Sequence, residues 1–404
     1  MVTVAVQFLE DSPELKEIAP QAVRQRLHEA FDRLPISILL LGWNLPEAIF
    51  EAVVEETTRA HVRLFRWQPL LTGDGILFPR SEWQVIGMDS HPVKGFRGLP
   101  EFTFMCPNKP AVREAVRAHL QEVLSPPYQG VFLDRIRFPS PSTNPFSQLA
   151  CFCDDCCRAA QEQEGLDLVE LQQALGSYWQ TPGAARGLIA SLFGNFPADM
   201  PDTVARGLRA WLHFRSESIT QFVCLAGELA SSRGMEVGLD CFSPSLTWMV
   251  GQDLETLAQA CDWIKVMTYA HALGPAGLPF ELMGLAAFLQ DHDGMSEKGA
   301  LAFLEELAGF PLPRTYQDLR RKGLPSAALV AEARQAKASG ARQLLVGLEL
   351  VDLPGVCELN ADQIRRDWQA VLKAGVKGVV LSWDLRHIPL ERLQLVSDIL
   401  ENYS

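Results

Sequence analysis

The sequence predicts an α/β protein built as a (β/α)8 TIM barrel with long insertions after strands 3, 4 and 6. Three observations carry this expectation. Short β-branched or aliphatic runs recur, each followed by a stretch of helical periodicity, which is the alternation of βα units around a parallel sheet. Eight such runs occur, the number that closes a barrel. Several of them, ISILLLGW, EVGLDCF and KGVVLSW, lack alternating polar positions, as expected of strands covered on both faces.

In chain order the strands are expected at Val2 to Leu9, Ile38 to Trp43, Val62 to Leu70, Val131 to Phe138, Val237 to Phe242, Trp263 to Tyr269, Leu344 to Leu350 and Val379 to Trp383. The helices between them carry end signals. Ser12 before Pro13 is expected to open the first, Ser218-x-x-Gln221 the one before the fifth strand, closed by Gly234, and Asn360-x-x-Gln363 the seventh, closed by Gly375. Three connections exceed the ordinary few residues: Thr72 to Glu101, Pro139 to roughly Arg215, and His271 to about Leu329. All three follow the C-terminal end of a strand, the face where barrels of this kind build active sites, which favours an enzyme.

With 404 residues the chain has room for one large barrel or for two to three ordinary domains. It shows neither repeat nor linker, so residues 1–404 are expected to form one barrel domain, with 139–215 as a Cys-rich, helical insertion. Apolar residues at 48% and charged residues at 21% exclude a disordered chain. No apolar run approaches the ~18 to 20 residues a bilayer crossing needs. The start MVTVAVQFLED lacks a basic region, a long apolar segment and a small-residue cleavage site, so a cytoplasmic protein with no membrane partner is expected. The net charge is 36 − 49 = −13, which repels phosphate backbones and argues against nucleic acid as a partner. A homo-oligomer is left open.

At the tips of the expected strands stand Asp134, Asp240, Tyr269, Glu349, Trp383 and Asp384. Acids inside runs such as VFLDRI, VGLDCF and LVGLELV are costly unless they are paired or open to a ligand. Each taken singly fits an ion pair or a helix cap equally well; together they suggest a site. Opposed carboxylates are what glycosidic cleavage needs. Strands four and seven face each other across a barrel, which makes Asp134 and Glu349 the expected pair, with Asp240 as substitute for either. Trp43, Trp67, Tyr269 and Trp383 could offer flat platforms for sugar faces. His271, beyond strand six, is a candidate substrate contact, Asp384 a candidate to orient substrate hydroxyls, and Arg137 a cation beside Asp134.

Nine cysteines include Cys151-x-Cys153-x2-Cys156, a spacing at which thiolates converge on one zinc ion once a fourth ligand is supplied. Cys106, in FTFMCPNKP, is the preferred fourth, with Cys157 and Asp155 as alternatives. Such a site is closed, hence structural. The eight His show no HxH or HExxH spacing, and G-x-G-x-x-G after a strand, the P-loop pattern and G-x-S-x-G are absent, so no cofactor other than zinc is expected.

The order CPNKPAVREAVRAHL, then GVFLDRIRFP, then CFCDDCCRAA resembles glycoside hydrolases of family 42, β-galactosidases in which a cysteine before helix three and a C-x-C-x2-C after strand four bind zinc. By that resemblance Cys106, Cys151, Cys153 and Cys156 are the ligands. Where those enzymes carry an Asn-Glu pair, this chain reads Leu133-Asp134-Arg135. LDRIRFP is more similar to the D-x-[IV]-R-[FY]-P motif of bacterial glycoside-hydrolase-like barrels, and DWIKVMTYA and GVVLSWDL resemble the same set. The resemblance implies a strand-four acid and a strand-seven Glu as the catalytic pair. The expected function is therefore a carbohydrate-active glycoside hydrolase. The alternatives are a non-catalytic sugar-binding barrel, or a metal-dependent aldolase or isomerase with a cation among Asp134, Asp240, Glu349 and His271.

Overall fold

The computed structural model describes residues 2–72, 80–99 and 102–403; residues 73–79, 100 and 101 of the first expected insertion lie outside them. Eight parallel strands, β1 (Thr3–Phe8), β2 (Ile38–Leu41), β3 (Arg63–Pro69), β4 (Gly130–Asp134), β5 (Glu236–Cys241), β6 (Trp263–Met267), β7 (Leu344–Glu349) and β8 (Gly378–Ser382), pair in sequence order, and β8 closes onto β1. This is the (β/α)8 barrel the sequence predicts. The largest difference is at β4, expected to reach Phe138. It stops at Asp134 because Arg135 adopts a left-handed backbone, φ 52°, that turns the chain off the sheet.

Around the barrel run α1 (Pro20–Arg33), α2 (Glu47–Arg59), α3 (Pro110–Val123), α4 (Asp154–Glu164), α5 (Leu168–Trp179), α6 (Ala184–Leu192), α7 (Asp202–Ser231), α8 (Leu254–Gln259), α9 (Leu278–Asp293), α10 (Glu297–Ala308), α11 (Tyr316–Lys322), α12 (Ser326–Ala338), α13 (Ala361–Lys373) and α14 (Leu390–Glu401). The connection after β4 carries α4 to α6 and the first half of α7; that after β6 carries α9 to α11.

Two expected helix starts are corrected. Ser218 lies in the middle of α7, where its hydroxyl donates to the Phe214 carbonyl at 2.8 Å and its side chain is buried, because the apolar stripe of Trp211, Phe214, Ile219 and Phe222 runs unbroken through it. Residue 215 is accordingly mid-helix and bounds no insertion. Ser12 precedes only a short 3-10 turn, Pro13–Lys16, and α1 begins at Pro20. The start of α13 is as expected: Asn360 accepts from the Gln363 N–H at 2.9 Å and Gln363 from the Asn360 N–H at 3.0 Å, a reciprocal capping box.

The barrel interior holds its own core of Ala5, Ile38, Leu40, Phe65, Phe132, Trp263, Leu345 and Val380. Rings fit because neighbouring strands offer glycines: a Cβ at Gly238 would stand 2.2 Å from the Trp263 ring. Above that layer the inward positions turn polar, with Gln7, Asp134, Asp240, Lys265 and Ser382 all buried. Among the described residues no helix is long and apolar enough to cross a membrane. Gly238→Ala is expected to destabilise the barrel by about 1–3 kcal/mol through overpacking against Trp263; a urea midpoint equal to wild type would contradict this packing.

Candidate active site

A cavity of about 250 Å³ opens at the C-terminal mouth of the barrel, lined by Gln7 and Glu10 from the end of β1, Trp67 of β3, Asp134, Arg135 and Arg137 after β4, Asp240 of β5, Met267 and Tyr269 of the β6 end, and Trp383 after β8. Its floor is a polar network around Lys265, a fully buried residue of β6. The ammonium donates to Tyr269 Oη at 2.6 Å, Asp240 Oδ2 at 2.9 Å and Gln7 Oε1 at 3.3 Å, three acceptors for three protons. Burial opposes its charge, but Asp240 and Tyr269 hold its pKa above the usual lysine range. Ser382 ties the network to β8 by accepting from Tyr269 Oη and donating to Gln7.

Asp240 uses only Oδ2 in this network; Oδ1 has no protein partner. Burial pushes its carboxyl up to about 7 despite the adjacent ammonium, with the charge of Asp134 adding to the rise. Asp134 is an acceptor at both oxygens, from Trp67 Nε1 at 2.9 Å and from the Arg135 N–H at 2.5 Å. The turn at Arg135 supplies that second donor and sends its guanidinium to Glu10, 3.0 Å away. Glu10 is also pushed up to about 7, by burial first, against the pull of Arg135.

Of the residues expected to form a site, Asp134, Asp240, Arg137, Tyr269 and Trp383 line this one cavity, and so does Trp67; four others do not. Glu349 has the inward parity of β7, yet its Oε1 accepts the N–H groups of His271 and Ala272 at 2.8 and 3.1 Å, and it contributes nothing to the cavity lining. The lining of this cavity thus brings Asp134 together with Asp240 and not with Glu349. Asp384 caps the short turn Leu385–His387 and holds the Leu9 and Glu10 N–H groups and Arg386, so hydroxyl orientation by it is corrected as well. His271 bonds Asp367 at 2.7 Å and lines two outer grooves, of about 510 and 600 Å³, rather than the mouth. Trp43, just past the end of β2, is buried edge-on to Trp67 with centroids 5.3 Å apart and packs against the Arg135 guanidinium without lining the cavity. Among the described residues, no three of Asp134, Asp240, Glu349 and His271, the set of the alternative with a catalytic cation, bring ligand atoms within 4.8 Å of one another.

Sequence reasoning missed Gln7, Glu10, Arg135 and Lys265. The signal for Lys265 was present: a lysine at an inward position of WIKVM has no route to solvent and needs acceptors inside the barrel.

The cysteines form a second centre. Sγ atoms of Cys106, Cys151, Cys153 and Cys156 lie within 4.8 Å of one another, all buried, with Cys106 3.4 Å from Cys156 and 3.7 Å from Cys153. These separations exceed a disulfide bond and approach the ~3.8 Å between ligands of a tetrahedral ion with 2.3 Å bonds. Cys157 and Asp155 are excluded as fourth ligand: Cys157 Sγ points to the Phe152 carbonyl and Asp155 pairs with Lys109. Four thiolates would hold one soft divalent cation with no open position.

Neither a family model nor a curated protein matches the chain. Solved structures do. The glycoside hydrolase domain of PgaB (BpsB) from Bordetella bronchiseptica matches with TM-score 0.55 and 13% identity over 100% of this chain and 98% of its own. The β-galactosidases of Marinomonas ef1 and Halorubrum lacusprofundi match at 0.60 and 0.61, with 11% and 14% identity, over 99% of this chain but only 59% and 58% of theirs. At such identities the likeness is one of fold: the chain has the (β/α)8 architecture shared by these glycoside hydrolases.

Lys265→Met strips a buried carboxyl of its cation and is expected to cost about 3–5 kcal/mol at pH 8. The folded pKa of Asp240 then stands further above its unfolded value of about 4, so folding takes up a proton and stability falls as pH rises between the two. The loss should therefore shrink towards pH 5 in urea unfolding; a small loss, equal at both pH values, would contradict the network.

Proposed function

We propose that the chain hydrolyses O-glycosidic bonds of a carbohydrate, with Asp134 and Asp240 as its working pair of carboxyl groups. The observation that carries this reading is that both face one hollow in unlike surroundings, Asp134 fixed as an acceptor by two N–H donors and Asp240 titrating near neutrality with one oxygen unpartnered. Asp240 stands in for Glu349 as the second member of the pair, with Asp134 as nucleophile in place of the acid/base role first expected of it. The glycosidase names of the structural neighbours accord with this reading.

Leu133 pairs with Leu239, so the next residues, Asp134 and Asp240, stand side by side on strands about 4.8 Å apart. Acids on adjacent positions of neighbouring strands favour the shorter carboxyl separation of a nucleophilic mechanism over the wider one that accommodates an activated water. Asp240 gives its proton to the leaving oxygen as Asp134 attacks the anomeric carbon. Asp240 then takes a proton from the water that releases the glycosyl ester, with overall retention. The rings of Trp67, Tyr269 and Trp383 supply walls for the sugar faces. Zinc held by Cys106, Cys151, Cys153 and Cys156 would be structural, joining the segments after β3 and β4.

On a panel of aryl glycosides of both anomers, Asp134→Asn and Asp240→Asn are each expected to lower kcat/KM about a hundredfold or more, and Glu349→Gln to stay within about tenfold of wild type. Equal rates in wild type and both Asn variants, or no turnover of any member, would remove the reading. Wild-type kcat/KM should fall as pH rises through about 7, where Asp240 loses the proton it donates; a profile flat from pH 5 to 9 would contradict that role.

Metal analysis is expected to give one zinc per chain, lost together with several degrees of thermal stability in Cys153→Ser. A metal-free chain of unchanged stability would overturn the zinc assignment.

A further inference from the structure

Arg137 is the one guanidinium of the mouth that pairs with no acid among the described residues. Its side chain is buried between the rings of Phe104 and Phe242, each centroid 4.7 Å from its guanidinium carbon. Among the described residues its one hydrogen bond is a weak one, from Nη1 to the Phe138 carbonyl at 3.3 Å, and Nε has no partner there. Arg135, two residues earlier, has Glu10; Arg137 has nothing equivalent. Burial draws its pKa down to about 10, which leaves it charged at neutral pH.

It also borders two hollows at once. Besides the mouth, it lines a side chamber of about 60 Å³ that shares Phe102 and Pro275 with the mouth and has Lys94 at its rim. The acid of that chamber, Glu281, is engaged by the Ser140 hydroxyl and the Ala276 N–H. Glu281, Asp134 and Asp240 act on the guanidinium through space and oppose the fall in its pKa, but none of them forms an ion pair with it among the described residues, so its remaining donors face the hollows without a partner of their own. The planar fork of arginine matches a carboxylate, and stacking on two rings fixes the plane in which that fork is presented.

We infer that Arg137 is the counter-ion of a carboxylate carried by the substrate, so that the sugar bound in the mouth is a uronate. The inference rests on the glycosidase reading for what happens to that sugar, but not for its binding. An uncharged hexose would offer the fork only hydroxyl oxygens, whereas a uronate brings a planar acceptor that can bond it directly at the junction of mouth and side chamber.

The test is calorimetric titration of the whole chain with trigalacturonate and trimannuronate and with their neutral counterparts, galactotriose and mannotriose. At least one uronate is expected to bind tenfold or more tightly than its neutral counterpart. That ratio should fall to about one in Arg137→Gln and recover in part in Arg137→Lys, a change that loss of ring stacking alone would not produce. Neutral sugars bound as well as uronates, no binding of either, or a preference that survives in Arg137→Gln would overturn the inference. Cleavage of neutral glycosides without uronate preference would defeat the inference alone; selective uronate binding with no glycoside cleaved would defeat the hydrolase reading and leave the binding site standing.

Discussion

A protonated lysine inside a β-barrel must have every donor satisfied, and the upper half of this barrel is organised by that requirement. Lys265 takes Gln7 from β1, Asp240 from β5 and Tyr269 from the end of β6, while Ser382 of β8 closes the circuit. Even the bare position on β7 follows from it: a Cβ at Gly347 would lie 2.5 Å from Lys265 Cε. The network separates a dry aromatic layer below from a polar mouth above. It also fixes Asp240 by one oxygen and leaves the other available, so the same contacts that satisfy the buried cation prepare an acid at the floor of the cavity.

The segment LDRIRFP assembles the opposite side of that mouth within a few residues. Asp134 ends β4 pointing inward, and the left-handed turn at Arg135 returns an N–H to the Asp134 carboxylate while aiming the guanidinium at Glu10. Arg137 then slots between two phenylalanine rings. One short backbone device thus positions an acid, a paired cation and an unpaired cation. The adjoining insertions are joined at the four cysteines, where the Ile86 N–H meets Cys151 Sγ and Gly87 bridges to Ala150.

Strands such as β2, ILLL, and β8, GVVLS, were legible because burial on both faces makes them continuous apolar runs, and the others, β3 with its Arg63 and Arg66 included, from their place in the βα alternation. The cysteine cluster was legible from local spacing, with Cys106 placed by its position just before α3. What sequence could not show was where each inward acid spends its hydrogen bonds. Glu349 and Asp384 stand at strand tips like Asp134 and Asp240, but main-chain N–H groups of neighbouring loops engage Oε1 of Glu349 and both oxygens of Asp384, and those loops are brought close only by the closed barrel. Ser218 misled for a related reason: a cap and a buried helical serine share the same letters, and only the packing along α7 tells them apart.

The account turns on Asp134 and Asp240 sharing one bound sugar. The most direct measurement is a crystal structure of Asp134→Asn soaked with an oligosaccharide that binds the chain. The account predicts a sugar ring across the mouth between Trp67 and Trp383, its glycosidic oxygen within hydrogen-bonding distance of Asp240 and its anomeric carbon facing residue 134. A sugar held instead in the outer grooves beside His271, with the mouth left empty, would contradict it.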